Sequence, residues 1–454
     1  VNLSRFIAIH NFYSNILGNE RDMFIYLPES YEKNEDQRYP VLYMHDGQHM
    51  FFEDQKGESW DIHITVDALV SQGKMREIIV VAVSHVEDAR ISEYMHANPD
   101  GLNIFNTTNQ GELYEDFLIK EVKTYIDKEY RTLPDKNNTA LMGSSAGGLV
   151  SYNIGFRQSD TFGMIGALCP FFVSVDPSTM EDRWLSRLFT EKKELKIWMD
   201  VGDSEGFTVM EKHVRYVTEI LIKSGFQPGN DLMYYLAVHS GHSQKDWAAR
   251  VHAPLIYFFG EIGTPVRVDL QGPEAVGIDG PEQTLNALVY FDSGFMMSDL
   301  DGTYEVGDPD ILEVTKDGKL IPLKAGNTLV TYKNNNLAAQ LEIAVVPHMS
   351  DTVTVNISVK VPACTPVTDT LYAGIELPMI HEGLYGGMFE VPRGISFEFR
   401  ISRGFGKHET DHEGKEVPYR KFTTDDGLIL NYEVDHWVDM NPGIVKGDEN
   451  DIQI

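Results

Sequence analysis

Only two cysteines, Cys169 and Cys364, occur in 454 residues. They stand far apart and outside any metal-ligand spacing, which excludes a disulfide framework and predicts two buried thiols. No apolar run approaches the ~18–20 residues that a bilayer crossing needs, so no transmembrane segment is expected. Cations are scarce as well: 38 Lys and Arg stand against 69 Asp and Glu, for a formal net charge of -31. Such an excess disfavours a nucleic acid as partner, because its backbone is itself anionic. No calcium-loop spacing of the helix–loop–helix type is present either, and no cofactor or metal is expected. No signal peptide opens the sequence, and a chain that begins at Val1 fits one whose signal has been removed.

What is present divides into three stretches, each with an apolar content sufficient for a core (42% of the chain overall). Residues 1–262 alternate apolar strand-like runs with helical ones. The runs at 21–27 (RDMFIYL), 39–45 (YPVLYMH), 76–83 (REIIVVAV), 162–168, 195–201 and 232–238 read as strands, and 113–130 and 215–224 as helices, the latter stopped by Gly225. Fully apolar strands interleaved with helices predict a mostly parallel sheet covered on both faces, an α/β fold. From 263 to 349 the pattern changes to short strands and turns, with a hairpin turn at Lys316-Asp317-Gly318-Lys319. Residues 350–454 are again all-β, with clean alternation at 352–361 and 396–401 and a polar tail from Lys446. Two all-β sandwich domains are therefore expected after the α/β unit.

The chemistry concentrates in the first stretch. Gly143-Ser144-Ser145-Ala146-Gly147 fits G-x-S-x-G, which puts Ser145 on a sharp strand-to-helix turn with its hydroxyl exposed. A serine hydroxyl needs a base within hydrogen-bond reach, and the base needs an acidic partner. Both follow in the order Ser, acid, His. After the strand LKIWMD comes Val201-Gly202-Asp203-Ser204-Glu205-Gly206, and after MYYLAV comes His239-Ser240-Gly241-His242-Ser243. His242 is the expected base, with His239 as its rival. Glu205 is the expected acid, with Asp203 and Asp200 behind it. The oxyanion hole should use the backbone N–H of Ala146 and that of Gln48, or else His49, in the loop after the YPVLYMH strand.

These segments resemble the esterase family of α/β-hydrolases that includes feruloyl and acetyl-xylan esterases, S-formylglutathione hydrolases and enterochelin esterases. YPVLYMHDGQHMF at 39–51 is similar to its oxyanion loop, GSSAGGLVS at 143–151 to its elbow, DVGDSEG at 200–206 to its acid loop, and GHSQKDW at 241–247 to its base segment. The resemblance implies a serine carboxylic ester hydrolase that removes feruloyl or acetyl groups from polysaccharide. The alternatives are a hydrolase of catecholate-siderophore or other small esters, and a non-catalytic carbohydrate-binding protein with a hydrolase-like domain. GESW and RISEY imply substrate-binding roles for Glu58, Trp60, Arg90 and Tyr94, unless Arg90 pairs with Glu93 to brace a loop. Residues 171–190 imply a lid, with Phe171, Phe172 and Trp184 facing substrate. Residues 266–346 resemble bacterial immunoglobulin-like domains and 351–440 resemble starch-binding-like modules, which together imply a secreted or periplasmic protein. In the last module Phe405 stands where a tryptophan is common, and no tryptophan follows Ala373-Gly374, so it lacks the usual rings for stacking on sugars.

Overall fold

A computed structural model describes residues 5–54, 57–86, 89–98, 108–175, 182–205, 210–404 and 407–440. Gly206, Phe405, the middle of the expected lid and the tail from Lys446 lie outside the described residues.

The strands are β1 (Phe6–Tyr13), β2 (Glu20–Tyr26), β3 (Val41–Met44), β4 (Ile79–Val83), β5 (Thr139–Ser144), β6 (Met164–Leu168), β7 (Val173–Val175), β8 (Asp182–Trp184), β9 (Lys196–Ser204) and β10 (Leu232–Gly241). Eight of them form one sheet in the order β1-β2-β4-β3-β5-β6-β9-β10, while β7 and β8 pair apart as an antiparallel hairpin. The β1–β2 and β2–β4 pairings are antiparallel and the remaining five, from β4 to β10, are parallel. Central strands such as β3, β4 and β6 are buried at every position, because helices cover both faces. The helical run expected at 113–130 spans 111–129 and carries a π-turn at Leu118–Lys123. The helix Met210–Lys223 ends where Gly225 takes φ +100°, a conformation that glycine adopts without steric cost.

Several smaller all-β sheets follow. Pro265–Gln271, Asn286–Phe291 and Met296–Asp299 form a three-stranded sheet. Ala275–Gly277, Leu337–Val346, Gly326–Asn334 and Thr303–Val306 form a four-stranded one. Val268, Ala287, Val330, Tyr332 and Ile343 pack together between them. The hairpin at Lys316–Lys319 joins Leu312–Val314 to Leu320–Pro322. The last stretch builds a four-stranded sheet around Thr352–Lys360, and Ile357, Leu371, Ile401 and Trp437 form its core.

Packing does not stop at residue 262. Leu288, Phe295 and Met297 belong to the core of the α/β unit, with Phe295 edge-on to Trp198 of β9. The Ser298 hydroxyl accepts from the Leu236 N–H of β10 at 2.9 Å. The strand that leads to His242 is therefore backed by residues some sixty positions later.

Candidate active site

The site lies at the carboxyl ends of β3, β5, β6, β9 and β10, where parallel α/β sheets open a crevice. Ser145 joins β5 to the helix Ala146–Arg157 and holds φ 57°, ψ −123°. A non-glycine residue there stores ~1–3 kcal/mol of strain, which the surroundings must hold. They do so through the backbone: Ser145 N–H donates to Leu168 O at 3.0 Å, and Phe171 N–H donates to Ser145 O at 3.2 Å. A Cβ on Gly143 would come within 2.8 Å of the Gly147 backbone, so the turn closes only with glycine at that place.

β9 and β10 deliver the acid and the imidazole. Their register pairs Ser204 with Gly241 after a bulge in β10, which brings the next residue of each strand face to face. Glu205 Oε2 lies 2.7 Å from His242 Nδ1. The other carboxylate oxygen accepts from Gly202 N–H at 2.8 Å and from Arg250 at 3.0 Å. The two other acids expected near the base are engaged elsewhere. Asp200 accepts from the Trp198 indole at 2.7 Å and from Arg250 Nε at 3.0 Å, and Asp203 accepts from His239 N–H at 2.7 Å. His239 itself is exposed on the bulge with φ 62°.

Arg250 was not expected from sequence. It sits on the helix Gln244–Arg250, whose Ser243 side chain accepts from Asp246 N–H at 3.1 Å as an N-cap. The S-x-x-D spacing at 243–246 signals that start, but nothing local marks Arg250 as the cation shared by two acids. Burial alone would lower its pKa; Asp200 and Glu205 outweigh burial and hold it above the ordinary value. Burial raises the Asp200 carboxyl, and Arg250 offsets that only in part. Behind His242 the Trp247 ring stands edge-on at 4.9 Å, and Trp60 packs against Trp247 at 6.0 Å.

On the oxyanion side, Gln48 occupies the turn Gly47–His49 directly after the β3 strand, and its side-chain amide meets the His85 ring edge at 2.8 Å. Asp46 anchors this turn. Arg90 grips both of its oxygens at 2.8 Å, His85 Nδ1 lies at 2.7 Å and Tyr94 donates at 3.2 Å. Burial alone would raise the Asp46 carboxyl; Arg90 and His85 win and hold it well below the usual range. Burial pushes neighbouring His45 down to about 4.

Several expectations are corrected. Arg90 pairs with Asp46 and not with Glu93, which forms a fully buried pair with Arg21 at 2.8 Å. Trp60 and Tyr94 do not line an open pocket: both are 0% exposed and brace the site from behind. Phe172 is buried against Tyr152 rather than open to solvent. Glu58 and Phe171 are half-buried, and Glu58 Oε2 accepts from Lys245 N–H at 3.5 Å. The thiols differ from each other, since Cys364 is exposed and only Cys169 is buried. Cys169 is also not a remote core residue. Its Sγ lies 3.5 Å from His242 Nδ1, so it touches the base loop.

A family model described as "Putative esterase" matches residues 14–258, more than half of the chain. The chain belongs to this esterase family. An endo-1,4-beta-xylanase/feruloyl esterase of Xylanibacter ruminicola is 32% identical over 165 residues, which are 35% of this chain and 20% of that protein. The chain thus spans about a fifth of that relative's length. Among solved structures, a ferulic acid esterase from Anaeromyces mucronatus in complex with ferulic acid is 22% identical, with TM-score 0.43 over 55% of this esterase and 89% of that chain. The enterobactin esterase of Shigella flexneri in the presence of enterobactin is 14% identical, with TM-score 0.44 over 56% and 58%. Outside the site, no helix among the described residues is long and apolar enough to cross a membrane.

Proposed function

We propose that this esterase is a serine carboxylic ester hydrolase that removes feruloyl or acetyl groups from polysaccharide. The observation that carries the reading is the 2.7 Å contact between Glu205 and His242, in a chain that also holds Ser145 on a strained elbow at the same end of the sheet. Ser145 Oγ attacks the ester carbonyl while His242 Nε2 takes its proton. Glu205 holds the Nδ1 proton, which fixes the tautomer and balances the imidazolium that forms. The oxyanion is received by the N–H of Ala146, one of the helix-start donors that have no intrahelical partner, and by that of Gln48. His242 then protonates the leaving alcohol. Water, deprotonated by the same ring, attacks the acyl-enzyme and releases the acid.

The substrate class draws on the name of the Xylanibacter relative and on the all-β sheets that follow the catalytic unit. We read those sheets as immunoglobulin-like and starch-binding-like modules of a secreted or periplasmic enzyme. An anionic catecholate ester would need a free cation in the site, and the Arg90 charge is met by both oxygens of Asp46. A non-catalytic binding protein would have no use for an acid–imidazole pair braced by a buried arginine.

Hydrolysis of p-nitrophenyl acetate and methyl ferulate tests the reading. Turnover that falls by about 10⁴-fold or more in Ser145→Ala, with an unchanged melting temperature, is the expected result. A parent protein that hydrolyses neither ester, nor acetylated or feruloylated xylan, overturns it.

A further inference from the structure

Cys169 Sγ, Glu205 Oε2 and His242 Nδ1 come from three separate strand ends, and these donor atoms all lie within 4.8 Å of one another. A thiol, an imidazole and a carboxylate are the ligand types of a zinc site, three from the protein with a fourth position open to solvent. Spacing along the chain gave no hint of this, because residues 169, 205 and 242 meet only through the sheet order β6-β9-β10. We propose that these three side chains form an inhibitory site for a thiophilic divalent cation such as Zn²⁺.

The distances favour it. Bonds of ~2.3 Å to sulfur and ~2.0 Å to nitrogen at a tetrahedral angle separate the two donors by about 3.5 Å. The observed Sγ to Nδ1 distance is 3.5 Å. The Glu205 oxygen, now 2.7 Å from Nδ1, must open by about 0.6 Å to admit the ion, since bonds of ~2.0 Å at a tetrahedral angle separate such donors by about 3.3 Å. Its other oxygen stays on Gly202 N–H and Arg250, so the carboxylate pivots about a fixed end. The entry path is the imidazole face, since the His242 side chain is 33% exposed although Cys169 and Glu205 are buried. Charge favours it too. Asp200 and Glu205 share the single cation Arg250, and ionising Cys169 adds a further negative charge that a divalent ion offsets.

The consequence for catalysis is specific. Binding releases the thiol proton to solvent and moves the single ring proton from Nδ1 to Nε2. An imidazole with its proton on Nε2 cannot accept the serine proton, so the ion stops hydrolysis without touching Ser145. The inhibition rests on the serine-hydrolase reading above; the binding does not.

The test uses the full chain carrying Cys364→Ser, which leaves Cys169 as its only thiol. Cd²⁺ alone should bind at one equivalent with the ultraviolet absorption of a cadmium–thiolate bond. Zn²⁺ and Cd²⁺ should inhibit p-nitrophenyl acetate hydrolysis, whereas Mg²⁺ and Ca²⁺, which prefer all-oxygen ligands, should not. Cys169→Ala and Cys169→Ser should lose the absorption and, each measured against its own metal-free rate, need at least about tenfold more Zn²⁺ for half inhibition. Absence of the thiolate absorption in the parent, or equal inhibition of parent and both Cys169 variants, overturns the proposal. A thiolate band in a parent without esterase activity would keep the metal site and reject the hydrolase reading instead.

Discussion

On one side of Ser145 a buried carboxylate, Asp46, has one guanidinium almost to itself; on the other, two buried carboxylates, Asp200 and Glu205, divide one guanidinium between them. Burial opposes ionisation in both places, yet the outcomes differ. Arg90 and His85 drive Asp46 well below the usual carboxylate range, while Arg250 leaves Asp200 above it. The turn at Gly47–His49 is thus a closed electrostatic unit in which Arg90 and His85 fix Asp46. The side with Glu205 keeps an excess of negative charge, which in the proposed mechanism is balanced by the imidazolium of His242.

Neutralising Glu205 breaks this contrast most severely. Glu205→Gln keeps the shape and removes the charge and the tautomer control, and kcat should drop by about 10³–10⁴-fold with little change in melting temperature. A drop of less than tenfold would mean that the excess charge is irrelevant to the chemistry. Next comes the pair of arginines. Arg250→Met leaves two buried carboxylates without a cation and should cost about 3–5 kcal/mol in urea unfolding. Arg90→Met should cost less, about 2 kcal/mol, because its side chain is 23% exposed and only one acid loses its partner. Equal losses would erase the difference between the two sides.

His45 sharpens the oxyanion side by pH. Its folded pKa, about 4, lies below the ordinary histidine value of about 6.5, so the folded protein keeps the ring neutral where the unfolded chain protonates it. The contribution is full above about pH 6.5 and is lost as pH falls from there to about 4, by up to about 3 kcal/mol. Urea midpoints measured across that window should fall with decreasing pH, and His45→Gln should flatten part of the slope. The smallest expected effect is at Gly241. A Cβ there would meet Glu398 Oε2 at 2.7 Å and Asp246 Oδ2 at 3.2 Å. Gly241→Ala should lower kcat about tenfold, and adding Glu398→Ala should recover part of it, since the obstacle is the end of a flexible side chain.

Ser145, His242 and Glu205 stood out in the sequence because each rides on a short local pattern: small residues around Ser145, and a strand followed by a turn before Glu205 and before His242. The central strands were legible as uninterrupted apolar runs, which mark buried strands without fixing their order in the sheet. β1 escaped notice because it is a half-exposed edge strand with an irregularity between Ile9 and Phe12, which spoils its alternation. Arg90 invites pairing with Glu93 three positions on, but burial places Glu93 on Arg21 and Arg90 on a carboxylate 44 residues away. Trp60 and Tyr94 belong to motifs near the site, and a motif does not tell a wall from its backing. Arg250 and the nearness of Cys169 to His242 depend on strand order and helix phase together, which no single stretch of sequence encodes.

The seam along β10 bears on how such a chain can be cut or recombined. A fragment trimmed to the matched region, ending near residue 258, would keep every residue assigned to bond cleavage, yet strip Phe295 from Trp198 and Ser298 from the Leu236 N–H. The bared tryptophan face would be sticky, and the strand leading to the imidazole would lose its outer support. A hybrid made by exchanging everything after that point must therefore bring its own complement to Trp198, since the inherited accessory part acts here as the far wall of the catalytic unit.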